Sequence, residues 1–414
     1  ASNSFRLRLT EQNDPISNQA GKDRVNSTVL VQNTAPSTIA ATKPAAVTFA
    51  RKPQLPALTG IRTLLALGIV LFHFTPSQLG LLYPLIENAY VYVSVFFLIS
   101  GYVLTYNYAE RGASLVKRDF WMARFSRLYP VYLLVLVIST TMLVEEWHAR
   151  SHAEFLQGVI LTPLLLQGWS PNLATFWNTV AWTLSCEVMF YAVFPWLIRF
   201  PWPKKAGHLV LLLLCLWAIG LVPHSLYILL NPDHLPGPVT RYSSTEMIRF
   251  LKFTPLPYAC TFLSGVTLGK IQLALPLSAK QRLSLCMVSI AALLVFLYQL
   301  APKTAYLLMH GGLMTPLFAA LVLGLSGPHF ITSCFAWKPL LLVGESSYCL
   351  YLIHFNLYQL IHKYHVPQWL HVEALDPWFS YVVIVLASVA VFEFYETPVR
   401  KAILRRFPPT PRKL

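Results

Sequence analysis

Charge is scarce in this chain. Only 12% of its 414 residues are charged, about half the share of a soluble globular protein. That excludes an ordinary water-soluble domain. Acidic residues are the scarcest, with 17 Asp and Glu against 32 Lys and Arg and a formal net charge of +15. No soluble segment interleaves basic and aromatic residues, which argues against nucleic acid as the partner of that charge. Cysteines are few and scattered: Cys186, Cys215, Cys260, Cys286, Cys334 and Cys349, with no C-x-x-C pair. No disulfide framework and no metal site is expected from them. No internal repeat is visible.

What the chain does have is apolar length. Hydrophobic residues make up 55% of it, and long runs recur at 131–144, 209–230 and 381–392. The fold class that follows is all-α, a polytopic integral membrane helical bundle. Apolar run length sets spans at 58–75, 88–109, 128–146, 181–199, 207–230, 253–269, 283–300, 305–326, 339–362 and 378–398, about ten in all. The shorter run at 156–167 suits a re-entrant or interfacial helix. Three regions result: a Ser/Thr/Asn/Pro-rich N-terminal tail at 1–53, expected to be disordered; a transmembrane domain at 54–402; and a basic cytoplasmic tail at 403–414.

The loops orient this arrangement. With the N-terminus in the cytoplasm, 25 of the 32 Lys and Arg residues fall on the cytoplasmic side and six on the other, with Arg62 remaining. The asymmetry predicts both termini inside. The sequence leaves open whether the membrane is the plasma (inner) membrane or an endomembrane.

Arg62 and His73 sit inside the first apolar run. Eleven residues on an α-helix turn through roughly 1100°, three full turns plus about 20°. Both side chains therefore share one face, about 16 Å apart along the axis. Ionisable groups at membrane depth mark functional sites by default. The plainer alternative has Arg62 snorkelling to an interface and His73 bonding a neighbouring helix.

Other polar groups follow along the chain. Arg124 and Arg127, three residues apart, share a helix face. Two guanidinium forks there suit phosphate recognition, or they serve as a topology signal alone. Glu187 lies inside a span with Tyr191 four residues on and Ser185 on another face. Proton relay, ion site and structural ion pair to Arg62 or His73 are all open to it. Ser347, Tyr351 and His354 fall at i, i+4 and i+7, one polar stripe on an apolar helix. That stripe is either a structural network or part of the chemistry. Glu396 closes the last span, with Arg400 or a loop as its expected partner.

These residues stand in a recognisable order. Arg62 and His73 match an Arg-x10-His pattern. Phe96-Phe-Leu-Ile-Ser100-Gly101-Tyr102 resembles F-F-x-x-S-G-[FY]. Arg124-Phe-Ser-Arg127 resembles R-x-x-R. Trp182-Thr-Leu-Ser185-Cys-Glu187-Val-Met-Phe-Tyr191 resembles W-S-L-S-x-E-x-x-F-Y, with Thr183 in place of Ser. Ser347-Tyr348-Cys-Leu-Tyr351-Leu-Ile-His354 and Glu396-Thr-Pro398 resemble S-Y-x-x-Y-L-x-H and E-x-P. Six motifs in this order, over about residues 55 to 402, resemble the membrane-bound acyltransferase-3 family.

The resemblance implies an O-acyltransferase, in the form without an appended esterase-like domain. Its donor would be an acyl-CoA, most often acetyl-CoA. Its acceptor would be a hydroxyl on a carbohydrate, glycolipid or secondary metabolite. Under it, His73 is the candidate general base or an acyl-carrying nucleophile. Arg62 would bind the coenzyme or orient the His73 region. Arg124 and Arg127 would hold coenzyme phosphates, and Glu187 would hold the imidazole tautomer or the acceptor hydroxyl. Ser100, Ser185, Tyr191, Ser347, Tyr351 and His354 would form a supporting polar network. The rival reading is a transporter using Arg62, His73 and Glu187 as a substrate or proton pathway. A third is a non-catalytic subunit that keeps the fold.

Overall fold

A computed structural model describes residues 52–76 and 79–410. The N-terminal tail expected at 1–53 lies outside the described residues except for Lys52 and Pro53. The described residues are helical, with no strand among them. The helices that matter here are α1 (Pro56–His73), α2 (Tyr92–Tyr108), α3 (Lys117–Ile138), α4 (His152–Leu161), α5 (Trp182–Leu197), α6 (Ala206–Leu230), α7 (Glu246–Phe253), α8 (Ala259–Ala274), α9 (Ala279–Val295), α10 (Thr315–Gly324), α11 (Lys338–Glu345), α12 (Ser347–Lys363), α13 (Trp378–Val391) and α14 (Thr397–Arg406).

Seven helical stretches among the described residues are long and apolar enough to cross a bilayer. The pair α11–α12, bent by 66°, makes an eighth if it counts as one span. The sequence reading of about ten also counts α5 and α8. Each has 16 residues, about 24 Å of helix, less than the roughly 30 Å of a hydrocarbon core. The run at 156–167 becomes α4, a ten-residue helix opened by a capping box on Ser151.

Two boundaries differ from expectation. The third span was set at 128–146, but α3 starts at Lys117 and breaks after Ile138. Hydropathy cannot register its first turns, because Lys117, Arg118, Asp119, Arg124 and Arg127 occupy them. Arg124 and Arg127 therefore share a helix, as their spacing predicts, ahead of the apolar run at 128–146. At the C-terminus, α14 runs to Arg406, so residues 403–406 of the expected tail are helical.

α1 starts on Pro56, whose missing N–H and fixed φ suit a first helical position. It lies between α2 on one side and α11 and α12 on the other. The most extensive helix pairing joins α2 to α8, and two glycines permit it. A Cβ on Gly101 would come within 2.3 Å of the Phe262 carbonyl oxygen, and one on Gly265 within 2.1 Å of the Leu98 oxygen. In lipid, helices associate through close packing rather than hydrophobic expulsion, and small residues let backbones touch. This explains the glycine of the Ser100-Gly101 motif: it seats α2 so that Ser100 and Phe96 face the site. Gly265→Val is expected to cost about 3 kcal/mol by overpacking. The midpoint of unfolding in detergent measures this, and an unchanged midpoint would mean that the two helices can part at little cost.

Candidate active site

Four adjoining cavities run along α1, and Arg62 lines three of them. The widest, of about 600 Å³, lies at the Pro56 end of α1. Arg62, Arg127 and Arg400 line it together with Lys52, Glu345 and Glu396. Lys52 pairs with Glu110 at 2.9 Å. Among the described residues none of the three guanidinium groups has a carboxylate within 4.0 Å. Glu396, only 3% exposed, accepts from the Cys349 thiol at 3.2 Å. Its hydrogen-bond partner is Cys349, while the expected Arg400 lines the same vestibule without an ion pair among the described residues. The vestibule holds cations in excess over its two carboxylates, and three of them are in a planar, forked form that matches phosphate oxygens.

Past Arg62 the space narrows to cavities of about 100 Å³ and 50 Å³. Glu187 on α5 lines both. One helical turn on, the Tyr191 hydroxyl donates to Glu187 Oε2 at 3.1 Å and lies 3.4 Å from Ser100 Oγ. The Trp121 indole donates to the Tyr191 carbonyl at 2.9 Å, tying α3 to α5. The Arg124 guanidinium stands 6.0 Å from the Tyr191 ring centre. Arg124 and Arg127 reach the same narrow cavity, but only Arg127 also reaches the vestibule. The hydroxyl chain binds Glu187 in place, so removing its middle member should matter. Tyr191→Phe is expected to lower turnover about tenfold. Ser100→Ala on top of it should add little, because the two act through one network. Initial rates of the single and double variants test this, and additive losses would refute it.

The fourth cavity, of about 160 Å³, lies at the far end of α1 and contains His73. Val93 and Tyr351 line both this chamber and the 50 Å³ neck. The His73 and His354 rings are 5.3 Å apart, centre to centre. His354 Nδ1 lies 2.7 Å from the Tyr351 carbonyl oxygen. A carbonyl only accepts, so Nδ1 carries the proton and Nε2 presents its lone pair. That Nε2 is buried without a partner. Tyr351 itself donates to the Val180 carbonyl at 3.2 Å. The stripe expected on α12 therefore runs along the passage, with Ser347 and Tyr351 at the neck and His354 beside His73.

The expected residues thus fall into two groups. Arg62, Glu187, Tyr191, Ser100, Arg124 and Arg127 gather at the neck and vestibule. His73 lines the chamber with the His354 ring packed beside it, and neither His354 nor Glu187 is part of the lining. Ser185 joins neither, since its hydroxyl accepts from the Gly168 amide at 3.2 Å. Lys252 and His310 also line the chamber and were not among the expected site residues. Arg241 lines it as well, from the loop that precedes α7. Lys252 stands on a short helix between spans, where a basic residue reads as topology, and His310 lies near the start of the span expected at 305–326. Among the described residues no group of acidic, His or Cys side chains could hold a metal ion.

A family model described as an acyltransferase domain matches residues 55–392. The chain belongs to the acyltransferase-3 family. It is similar to the O-acetyltransferase OatA of Staphylococcus aureus, 25% identical over 387 residues that cover 87% of this chain and 59% of that relative. The peptidoglycan O-acetyltransferase OatA of Listeria monocytogenes is 22% identical over 378 residues, 85% of this chain and 57% of the relative. The acyltransferase MdmB of Streptomyces mycarofaciens is 32% identical over 155 residues, 35% of this chain and 39% of the relative. The chain thus spans less than two thirds of the length of the OatA relatives. No solved structure matches it. Both ends of the passage, Arg62 and His73, fall inside the acyltransferase domain, as do Glu187, Tyr191 and His354.

Proposed function

We propose that this chain is an integral-membrane O-acetyltransferase. It takes an acetyl group from acetyl-CoA at the vestibule and passes it to a hydroxyl of a carbohydrate acceptor in the His73 chamber. The observation that carries this reading is the row of cavities along α1. It opens at three guanidinium groups that make no ion pair among the described residues and ends at half-buried His73, with buried His354 beside it. The first feature suits a phosphate-rich coenzyme. The second suits removal of a hydroxyl proton. The OatA relatives, an O-acetyltransferase and a peptidoglycan O-acetyltransferase, support acetyl as the acyl group and a saccharide as the acceptor.

Under this proposal, Arg62 and Arg127 hold coenzyme phosphates, assisted by Arg124. The pantetheine arm extends through the neck past Glu187 and Tyr191. Glu187, bonded to Tyr191, balances charge beside Arg62. In the chamber the neutral His73 imidazole accepts the acceptor's hydroxyl proton as that oxygen attacks the thioester carbonyl. The C–O bond forms, the C–S bond breaks, and the thiolate takes the proton from His73 to leave as free coenzyme A. His354 orients His73 by packing its ring against it. By the charge asymmetry of the loops, the vestibule faces the cytoplasm and both termini lie there.

The test is transfer from radiolabelled acetyl-CoA in membranes containing the full chain, with glycans and lipids extracted as acceptors. Alkali-labile label in an extract is the expected result. Its absence, with folded protein and endogenous acceptors present, removes the acetyl-CoA reading.

A further inference from the structure

The His73 chamber carries positive charge without any counter-charge. Arg241 and Lys252 both line it, and no Asp or Glu does. Arg241 donates from Nη2 to the Phe72 carbonyl at 3.3 Å. Its guanidinium stands 4.1 Å from the centre of the Phe72 ring, so the charge sits beside the residue that precedes His73. Lys252, on the short helix α7, is only 3% exposed. Its ammonium donates to the Arg241 and Ser243 carbonyls at 3.0 and 3.2 Å, which leaves one of its three N–H groups free. Neither cation has a carboxylate within 4.0 Å among the described residues.

Such an arrangement is costly. A buried charge loses several kcal/mol of hydration, which only an opposite charge or several hydrogen bonds offset. Burial first, then the charges of Arg249 and Arg241, lower the Lys252 ammonium to about 8, which keeps it mostly protonated at neutral pH. The carboxylates nearest in sequence, Asp233 and Glu246, do not line the chamber. Asp233 instead accepts from the Tyr227 and Thr245 hydroxyls.

The rest of the chamber suits a ring-shaped polar molecule. Tyr90, Trp182, Phe253 and Tyr306 supply aromatic walls. The Tyr258 hydroxyl donates to the Lys252 carbonyl at 2.7 Å and lies 2.8 Å from His310 Nδ1. Its one proton is thereby used, so His310 donates from Nδ1 and keeps Nε2 as an acceptor. That Nε2 has no protein partner among the described residues, and His310 lines the chamber.

We propose that the acceptor is an anionic saccharide, whose carboxylate or phosphate is held by Arg241 and Lys252 beside His73. His310 Nε2 accepts from a second hydroxyl of the same molecule. This rests on the reading of the chamber as the acceptor site. It excludes a neutral glycan as the preferred substrate.

The test uses membranes with the full chain and radiolabelled acetyl-CoA. Alkali-labile label is fractionated on an anion exchanger, and the expected result is label in the bound fraction. Phosphatase treatment that releases it into the flow-through identifies a phosphate, while carboxyl reduction that does so identifies a carboxylate. Label in the flow-through overturns the proposal and leaves acetyl transfer standing. No label in either fraction removes acetyl transfer itself, and this proposal with it. The bound fraction, stripped by alkali, then serves as acceptor for variants. Arg241→Gln and Lys252→Gln are each expected to raise the acceptor KM about tenfold, the loss of one charged hydrogen bond. The KM for acetyl-CoA should stay unchanged, which also shows that the variants fold, and Arg241→Lys should recover most of the loss. An unchanged acceptor KM overturns the proposal. A fall in kcat alone also overturns it, because the two cations would then serve the transition state rather than the acceptor.

Discussion

His73→Ala is expected to lower acetyl transfer by about 10²- to 10⁴-fold, the usual contribution of a positioned general base. The protein should remain in the membrane at wild-type level, because His73 ends α1 and makes no hydrogen bond that holds a neighbouring helix. Its contacts are ring contacts, to His354 and Phe355 at 5.3 and 5.2 Å. Label transfer per unit of membrane protein is the measurement. Retained turnover would remove His73 as the base. A second outcome separates the two chemistries open to an imidazole. Label trapped on His73 with donor alone would mean an acyl-imidazole intermediate; none would leave the direct transfer derived above. His354→Ala should give a smaller loss, since it would only release the orientation of His73.

Arg62→Ala is expected to raise the KM for acetyl-CoA by about 10- to 100-fold, the range for loss of hydrogen bonds to a charged group. Its guanidinium lines the vestibule and both narrow cavities, so it meets the coenzyme wherever the arm enters. Arg62→Lys should recover little, since a point charge cannot replace a planar fork. Arg127→Ala should act in the same direction. Titrating acetyl-CoA against initial rate distinguishes this from a catalytic role. If kcat falls with KM unchanged, Arg62 acts on the reaction instead.

How far the sequence disclosed this site depended on where each side chain comes from. Arg62 and His73 were legible because one helix carries both and its period fixes their face. Glu187 and Tyr191 were legible for the same reason, and their hydrogen bond spans the expected i, i+4 step. Ser347, Tyr351 and His354 were legible as a stripe, though not as the lining of a passage. Ser185 misled, because its motif neighbours belong to the neck while its own face turns to Gly168. Arg241, Lys252 and His310 come from a loop and two short helices, with no common period. Only tertiary packing brings them to one chamber. Their charges were visible, but a basic residue between spans serves topology equally well. The start of α3 escaped for a related reason: its polar first turns carry arginines that a hydropathy window averages away.

The guanidinium at the neck has a consequence for the membrane as an insulator. A passage wide enough for a thioester arm would also admit hydronium and sodium ions, and would drain the gradients that the cell maintains. At the constriction, of about 50 Å³, any such cation meets Arg62 beside Glu187. Fixed positive charge at a narrow point is how water channels exclude protons. Under the proposed function, the side chain that holds phosphates would also be the barrier to such cations, to the extent that its charge exceeds that of Glu187.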